Sequence, residues 1–245
     1  MSTRRLFRLL LSILVLALAG GCATTQAPDP LEPLNRKVFA LNEGIDKVVL
    51  KPTATAYTAV VPGPVRGGVS NFFANSQDLW SAANLLLQGQ GAEGAREVAR
   101  FGTNSVVGVF GVFDVATRFG LDRHGETFGS TLEAWGIAPG AYIVWPLFGP
   151  STARDSIGIP VDILANPLTW ISIVPLRNGI TIGRFVDQRA KALPLTKMID
   201  DVALDKYLYV RDAYLQRHDR RVRDDESGIA ADGADPRVGS PLPAK

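Results

Sequence analysis

The chain has 245 residues, 46% apolar and 20% charged, enough for the core of one ordinary domain. Its net charge of +2 includes Arg4, Arg5 and Arg8; leaving these out gives 23 basic residues against 24 acidic, so no polybasic patch points to nucleic acid or to electrostatic membrane binding. Cys22 is the single cysteine, which excludes an intramolecular disulfide, and neither a metal-ligand cluster nor a Gly-rich phosphate loop stands out, so no metal or cofactor is expected.

The first residues run basic, then apolar from Leu9 to Leu18, then small at Ala19-Gly20-Gly21 ahead of Cys22. That is the layout of a secretory signal. The apolar stretch falls short of the roughly 20 residues a spanning helix needs. Residues 1–21 are therefore expected to be a cleaved signal peptide, Cys22 the lipid-attachment site, and residues 22–28 a tether. Ala19 stands where such lipid-attachment signals usually carry Leu, and a cut after Ala19 is the plain alternative. Ala23 rather than Asp after the cysteine points, by the usual Gram-negative sorting rule, to the outer membrane.

Asp29-Pro30-Leu31-Glu32 reads as a helix start with Asp29 as N-cap and Glu32 closing a capping box. Leu34, Val38, Leu41 and Ile45 follow at helical spacing and predict the buried side of a helix ending before Pro52. Further helices are predicted from Pro64 to Phe73, from Asp78 to Gln88 carrying Leu79, Ala83, Leu86 and Leu87, from Glu93 to Val107 and from Thr127 to Trp135. Tyr142 to Phe148 reads as extended. Ser151 to Asp162, Asn178 to Leu193 and Asp205 to Arg220 read as helices, the last with Tyr207, Leu208 and Leu215 inward. From Arg223 onward Asp, Ser, Gly, Ala and Pro dominate, a composition that predicts a disordered tail over residues 224–245. The expected fold class is mainly α, a single helical domain over residues 29–223.

Two stretches are strongly apolar yet interrupted by Gly, Pro or Asp before reaching spanning length: Val106 to Phe113 and Ile157 to Pro175. They are either buried connections or apolar surface dipping into lipid. On the second reading Val109, Phe110, Ile163 and Ile171 are candidate membrane contacts. A lipid hydrolase is the competing class, because Gly149-Pro150-Ser151-Thr152-Ala153 approximates a nucleophile elbow. Against it, Ser151 also reads as the cap of the next helix, and His124 and His218 fall in polar surroundings. Arg154 beside Asp155 reads either as a local ion pair or as a fork for a lipid phosphate. The aromatic residues Phe39, Tyr142, Trp145 and Phe148 suit a core or a membrane interface.

One family shares many stretches with this chain: Asp29-Pro30-Leu31-Glu32-Pro33-Leu34-Asn35-Arg36 with Phe39 and Asn42; Val69-Ser70-Asn71-Phe72; Leu87-Gln88-Gly89; Arg100-Phe101 with Asn104; Phe128-Gly129-Ser130-Thr131-Leu132; Gly140 to Pro146 with Gly149-Pro150-Ser151 and Arg154-Asp155; and Tyr209 to Asp219. In these the chain resembles the VacJ/MlaA family of outer-membrane phospholipid-transport lipoproteins, across nearly the whole mature domain. The resemblance implies a ring-shaped helical lipoprotein in the periplasmic leaflet of the outer membrane, with a central amphipathic channel. It also implies removal of mislocalised phospholipid from the outer leaflet, a trimeric porin as neighbour, and a soluble periplasmic carrier that feeds an inner-membrane ABC transporter. Phe39, Asn42, Tyr142, Trp145, Phe148 and Arg154 are the candidate lipid-pathway residues, and the first helix near Phe39 to Asn42 is expected to help control access.

Overall fold

The computed structural model describes residues 29–217; the signal segment, Cys22, the tether, His218 and the tail lie outside them. The fold is mainly helical. Helix α1 (Glu32–Ile45) passes through a single π-turn (Asp46–Leu50) into α2 (Lys51–Val60). Pro52 explains the π-turn: it has no N–H to give, and its ring crowds the preceding turn, so the helix widens rather than stops. The predicted capping box does not form. Leu31 is the N-cap residue and has no side-chain cap bond, Glu32 pairs with Arg36 at 2.7 Å, and the Asp29 carboxylate accepts from Asn35 at 2.8 Å.

Helix α3 runs unbroken over Gly63–Leu87, where two helices were expected, because residues 74 to 77 include neither Gly nor Pro and the Asn75 amide bonds to Ser105 at 3.0 Å instead of to its own backbone. It makes its most extensive pairing with α4 (Gly91–Val106). A tight apolar turn follows, then a 3-10 turn (Ala116–Phe119) and α5 (Phe128–Ala134). Thr127 caps α5 and exchanges bonds with Ser130 in both directions.

Strands β1 (Tyr142–Trp145) and β2 (Gly149–Thr152) form an antiparallel hairpin in which Tyr142 opposes Thr152 and Trp145 opposes Gly149. Ser151 therefore lies in a strand. Thr152 is the cap of α6 (Ala153–Ala165), accepting from the Asp155 N–H at 3.1 Å. Helix α6 crosses α5 where Gly158 meets Gly129; a Cβ on Gly158 would lie 2.7 Å from the Gly129 nitrogen. A 3-10 turn (Pro167–Trp170) leads to α7 (Val174–Val202), and α8 covers residues 206–217. No helix among the described residues is long and apolar enough to cross a membrane.

The described residues up to Met198 form one compact unit and those from Ile199 a second. In the second, Lys206 pairs with Asp200 at 2.7 Å, Tyr207 is buried, and Leu208 and Leu215 are half-buried.

The first unit inverts the usual distribution. Among its buried side chains polar ones predominate, among them Asn35, Asp78, Asn84, Glu97, Arg100 and Arg154. Of the α1 stripe expected to be buried, Leu34 and Leu41 are 58% and 54% exposed and Val38 and Ile45 are half-buried; Leu79, Leu86 and Leu87 on α3 are also exposed. Asn35 on α1, and Asp78, Ser81 and Asn84 on α3, take the inner positions. Scattered exposed leucines are normal, but five on two helices, beside an interior in which Asn, Asp, Glu and Arg join Phe73, Ala82 and Leu85, are not.

Candidate functional site

The hairpin is held by α1 rather than by a third strand. Asn35 donates to the Tyr142 carbonyl and accepts from the Val144 N–H, both at 2.9 Å. Asn42, seven residues later on the same helix face, donates to the Trp145 carbonyl and accepts from the Leu147 N–H, again both at 2.9 Å. Two side-chain amides thus satisfy the free edge of β1. The clasp fixes the hairpin tip, where Leu147 adopts φ +65° and Phe148 meets Phe185 of α7 edge-on at 6.3 Å between ring centroids.

Beneath Phe148 a cavity of about 490 Å³ opens between α6 and α7. Ile163, Ile180 and Phe185 give it an apolar wall, and Asn166, Arg177 and Arg184 a polar one. An adjoining cavity of about 250 Å³ shares Phe148, Ile163, Asn166 and Arg184 and reaches Trp80 and Asp162. On the opposite flank of α7 a third, about 470 Å³, is lined mainly by apolar groups including Val69, Phe73, Leu176 and Val186, with Gly179 and Gly183 leaving it open. Helix α7 is fixed by Arg189, which grips Asp46 in the π-turn at 2.5 and 2.8 Å, and by Ser70, whose hydroxyl donates to Asp187 at 2.8 Å.

Burial pulls the Arg184 guanidinium below its ordinary range, and no carboxylate among the described residues pairs with it. Burial pushes the Asp162 carboxyl up against the opposing effect of bonds from the Trp80 indole (2.7 Å) and the Phe128 N–H (2.8 Å). Between α3 and α4 lies a buried ionic cluster. Arg100 contacts Asp78 at 3.3 Å and Asp114 at 2.6 Å and donates to the Leu121 carbonyl, while Arg123 grips Asp78 at 2.7 and 3.1 Å. Burial raises Asp78. Burial would also raise Asp114, but bonds from Thr117, Arg100 and Asn104 outweigh it and hold that carboxyl at about 2.

The family model for the MlaA lipoprotein matches residues 27–221. The chain belongs to that family. It is 34% identical over 208 residues to the intermembrane phospholipid transport system lipoprotein MlaA of Escherichia coli, covering 81% of this chain and 82% of that one. The protein of the same name from Haemophilus influenzae is 30% identical over 236 residues, with 91% and 92% covered. An uncharacterised protein of Rickettsia typhi is 34% identical over 194 residues, with 79% and 76% covered. A structure solved to explain maintenance of bacterial outer membrane lipid asymmetry superposes with TM-score 0.68 at 34% identity, covering 78% of this chain and 97% of its own.

In this MlaA-family chain the sequence-predicted residues divide into separate places. Phe148 and Ile163, expected as pathway and membrane contact respectively, meet at the same cavity wall. Asn42 and Trp145 belong to the hairpin clasp, and the Trp145 indole donates to Ser156 at 2.7 Å. Phe39 is half-buried on α1, Tyr142 fully buried. Arg154 is buried in a structural cluster with Asp155 (3.0 Å), Glu133 (3.2 Å) and the Ile137 carbonyl (3.2 Å), rather than on the walls of these cavities. Val109 and Phe110 are exposed, with Ile171 half-buried. Of the two apolar stretches, the first exposes Val106, Val107, Phe110 and Phe113 and the second Ile157, Leu164, Trp170 and Ile173; both lie at the surface, not in a core. Ser151 is buried and bonded to Ser156 at 3.1 Å, while His124 sits between Glu93 (3.2 Å) and Glu97 (3.4 Å). Sequence reading missed Arg184, which no motif marks, and Asn35, for which the seven-residue spacing to Asn42 was an available signal.

Proposed function

We propose that this protein removes mislocalised phospholipid from the outer leaflet of the outer membrane and passes it to a periplasmic carrier for retrograde transport. The observation that carries this reading is the makeup of the first unit: Leu34, Leu41, Leu79, Leu86 and Leu87 exposed, with buried polar groups and an amphipathic cavity inside. Such a surface is stable where hydrocarbon surrounds it, and such a cavity offers a head group partners that it would otherwise lose at a cost of several kcal/mol. Kinship with phospholipid-transport lipoproteins supports the same reading.

In this proposal residues 1–21 are cleaved, Cys22 carries acyl chains that anchor the protein in the periplasmic leaflet, and the helical domain encloses a channel for lipid. Val109, Phe110 and Ile171 contact lipid, Ile163 and Phe148 line the path, and the Asn42 clasp positions its rim. A trimeric porin stands beside the protein, and a soluble carrier takes the lipid to an inner-membrane ABC transporter. The role is not enzymatic; the enclosed hydroxyl of Ser151, bonded to Ser156, supports transport over hydrolysis.

The test is the amount of surface-exposed phospholipid in cells lacking the protein. It is expected to rise, to return to normal with the wild-type gene, and to stay high with Cys22→Ser. Unchanged surface phospholipid in the deletion strain would overturn the proposal.

A further inference from the structure

Arg184 differs from Arg100, Arg154 and Arg189 of the first unit. Arg100 has Asp78 and Asp114, Arg154 has Glu133 and Asp155, and Arg189 has Asp46. Arg184 is half-buried on the cavity wall with no carboxylate among the described residues to neutralise it. Taking a guanidinium partly out of water without a counter-ion is unfavourable, and an anion entering the cavity relieves it. Arg177 adds a second positive charge to the same wall, two helical turns or about 10 Å away along α7. No residue lining this cavity is acidic. The two acids bordering the adjoining cavity are already engaged, Asp162 by Trp80 and the Phe128 N–H and Glu126 by Gln88 at 3.4 Å.

We infer that the cavity selects phospholipids whose head group carries net negative charge, with Arg184 holding the phosphate. Resting on the transport reading of this cavity, the inference adds a head-group class to it. A guanidinium fork suits two phosphate oxygens, while Ile163, Ile180 and Phe185 receive the first methylenes of the tails. A zwitterionic head group brings its phosphate with an ammonium, which faces Arg177 and Arg184 and finds no carboxylate on the wall of this cavity, since Asp162 and Glu126 border the adjoining one. A glycerol head group brings hydroxyls that Asn166 or Thr181 can meet, and no opposing charge.

The test uses the full-length acylated protein in mild detergent, equilibrated with equal amounts of phosphatidylglycerol and phosphatidylethanolamine of identical acyl chains. Bound lipid is extracted and both classes are counted by mass spectrometry. The wild type is expected to enrich phosphatidylglycerol about tenfold over input, the scale of one charge-assisted contact. Arg184→Gln is expected to bring the ratio close to input by losing bound phosphatidylglycerol, and Arg184→Lys to keep most of the enrichment. Wild type that holds lipid at the input ratio overturns the selectivity whatever the variants do, as does Arg184→Gln with wild-type enrichment. Wild type that holds no lipid overturns the transport reading of the cavity as well.

Discussion

Asn35→Ala tests the claim that side-chain amides substitute for a missing strand. The Asn35 side chain is 1% exposed, and truncating it leaves the Tyr142 carbonyl and the Val144 N–H without partners at residues that are 0% and 3% exposed. Each orphaned buried group costs about 1–3 kcal/mol, so the pair costs about 2–6 kcal/mol, toward the lower end if water enters the space left behind. The bond to Asp29 is lost too, but that carboxylate is only half-buried and water replaces it. Asn42→Ala makes the same change at the half-exposed end of the hairpin, where solvent reaches the freed groups, and is expected to cost about 1 kcal/mol or less. The assay is urea unfolding of the purified full-length protein in mild detergent, with tryptophan fluorescence and far-ultraviolet circular dichroism followed together. At a slope of about 1–3 kcal/mol per molar urea, the Asn35→Ala midpoint is expected to fall by about 1 M or more. Equal losses at both positions, or a loss below 1 kcal/mol for Asn35→Ala, would refute the clasp as the reason the edge of β1 is tolerated.

Two further substitutions probe the apolar turn and the buried acid. Gly111 sits at φ +83°, and an added Cβ would fall 2.5 Å from the Asn75 Cβ, so Gly111→Ala is expected to lower stability by about 2 kcal/mol or more in thermal melts. Asp162→Asn retains the one oxygen, Oδ1, that receives both the Trp80 and Phe128 bonds, and removes a charge that burial disfavours. It is expected to match or exceed wild-type stability at pH 7. The sign follows from the raised folded-state pKa: wild type gains stability relative to the variant as pH falls through that raised value, fully so below about 3.8, and a gap that widens on acidification would contradict the assignment.

Local rules served well where the chemistry is local. The end of α5 was legible in Gly136 and its start in Thr127, because a hydroxyl one residue ahead of a helix has few better partners than the exposed N–H groups. They failed by one residue at α6, where pairing of Ser151 opposite Ile143 in the hairpin withdrew it from the helix start and left the cap to Thr152. They failed at α1 because Asp29 had a choice between capping and accepting from Asn35, and the partner that also holds β1 prevailed. The long pairings, from Asn35 to the hairpin and from Arg189 to Asp46, join residues more than a hundred positions apart; the Asn35 to Asn42 spacing marks one helix face but does not report its partner.

The deeper failure concerns which face of a helix is inside. Periodicity placed Leu34, Val38, Leu41 and Ile45 on one side of α1, of which Leu34 and Leu41 are exposed and Val38 and Ile45 half-buried, but assigning that side to the core assumes water outside. In the lipid surroundings proposed above, burying Leu34 against protein would gain little over leaving it in lipid, while an unbonded amide in lipid would lose several kcal/mol. The inward preference then passes to the residues able to bond, and Asn35 and Asn42 are those residues on α1. The same exchange on α3 sends Leu79 and Leu86 outward and Asp78, Ser81 and Asn84 inward. A sequence therefore states the period of an amphipathic helix without stating its sign; the surrounding solvent decides the sign.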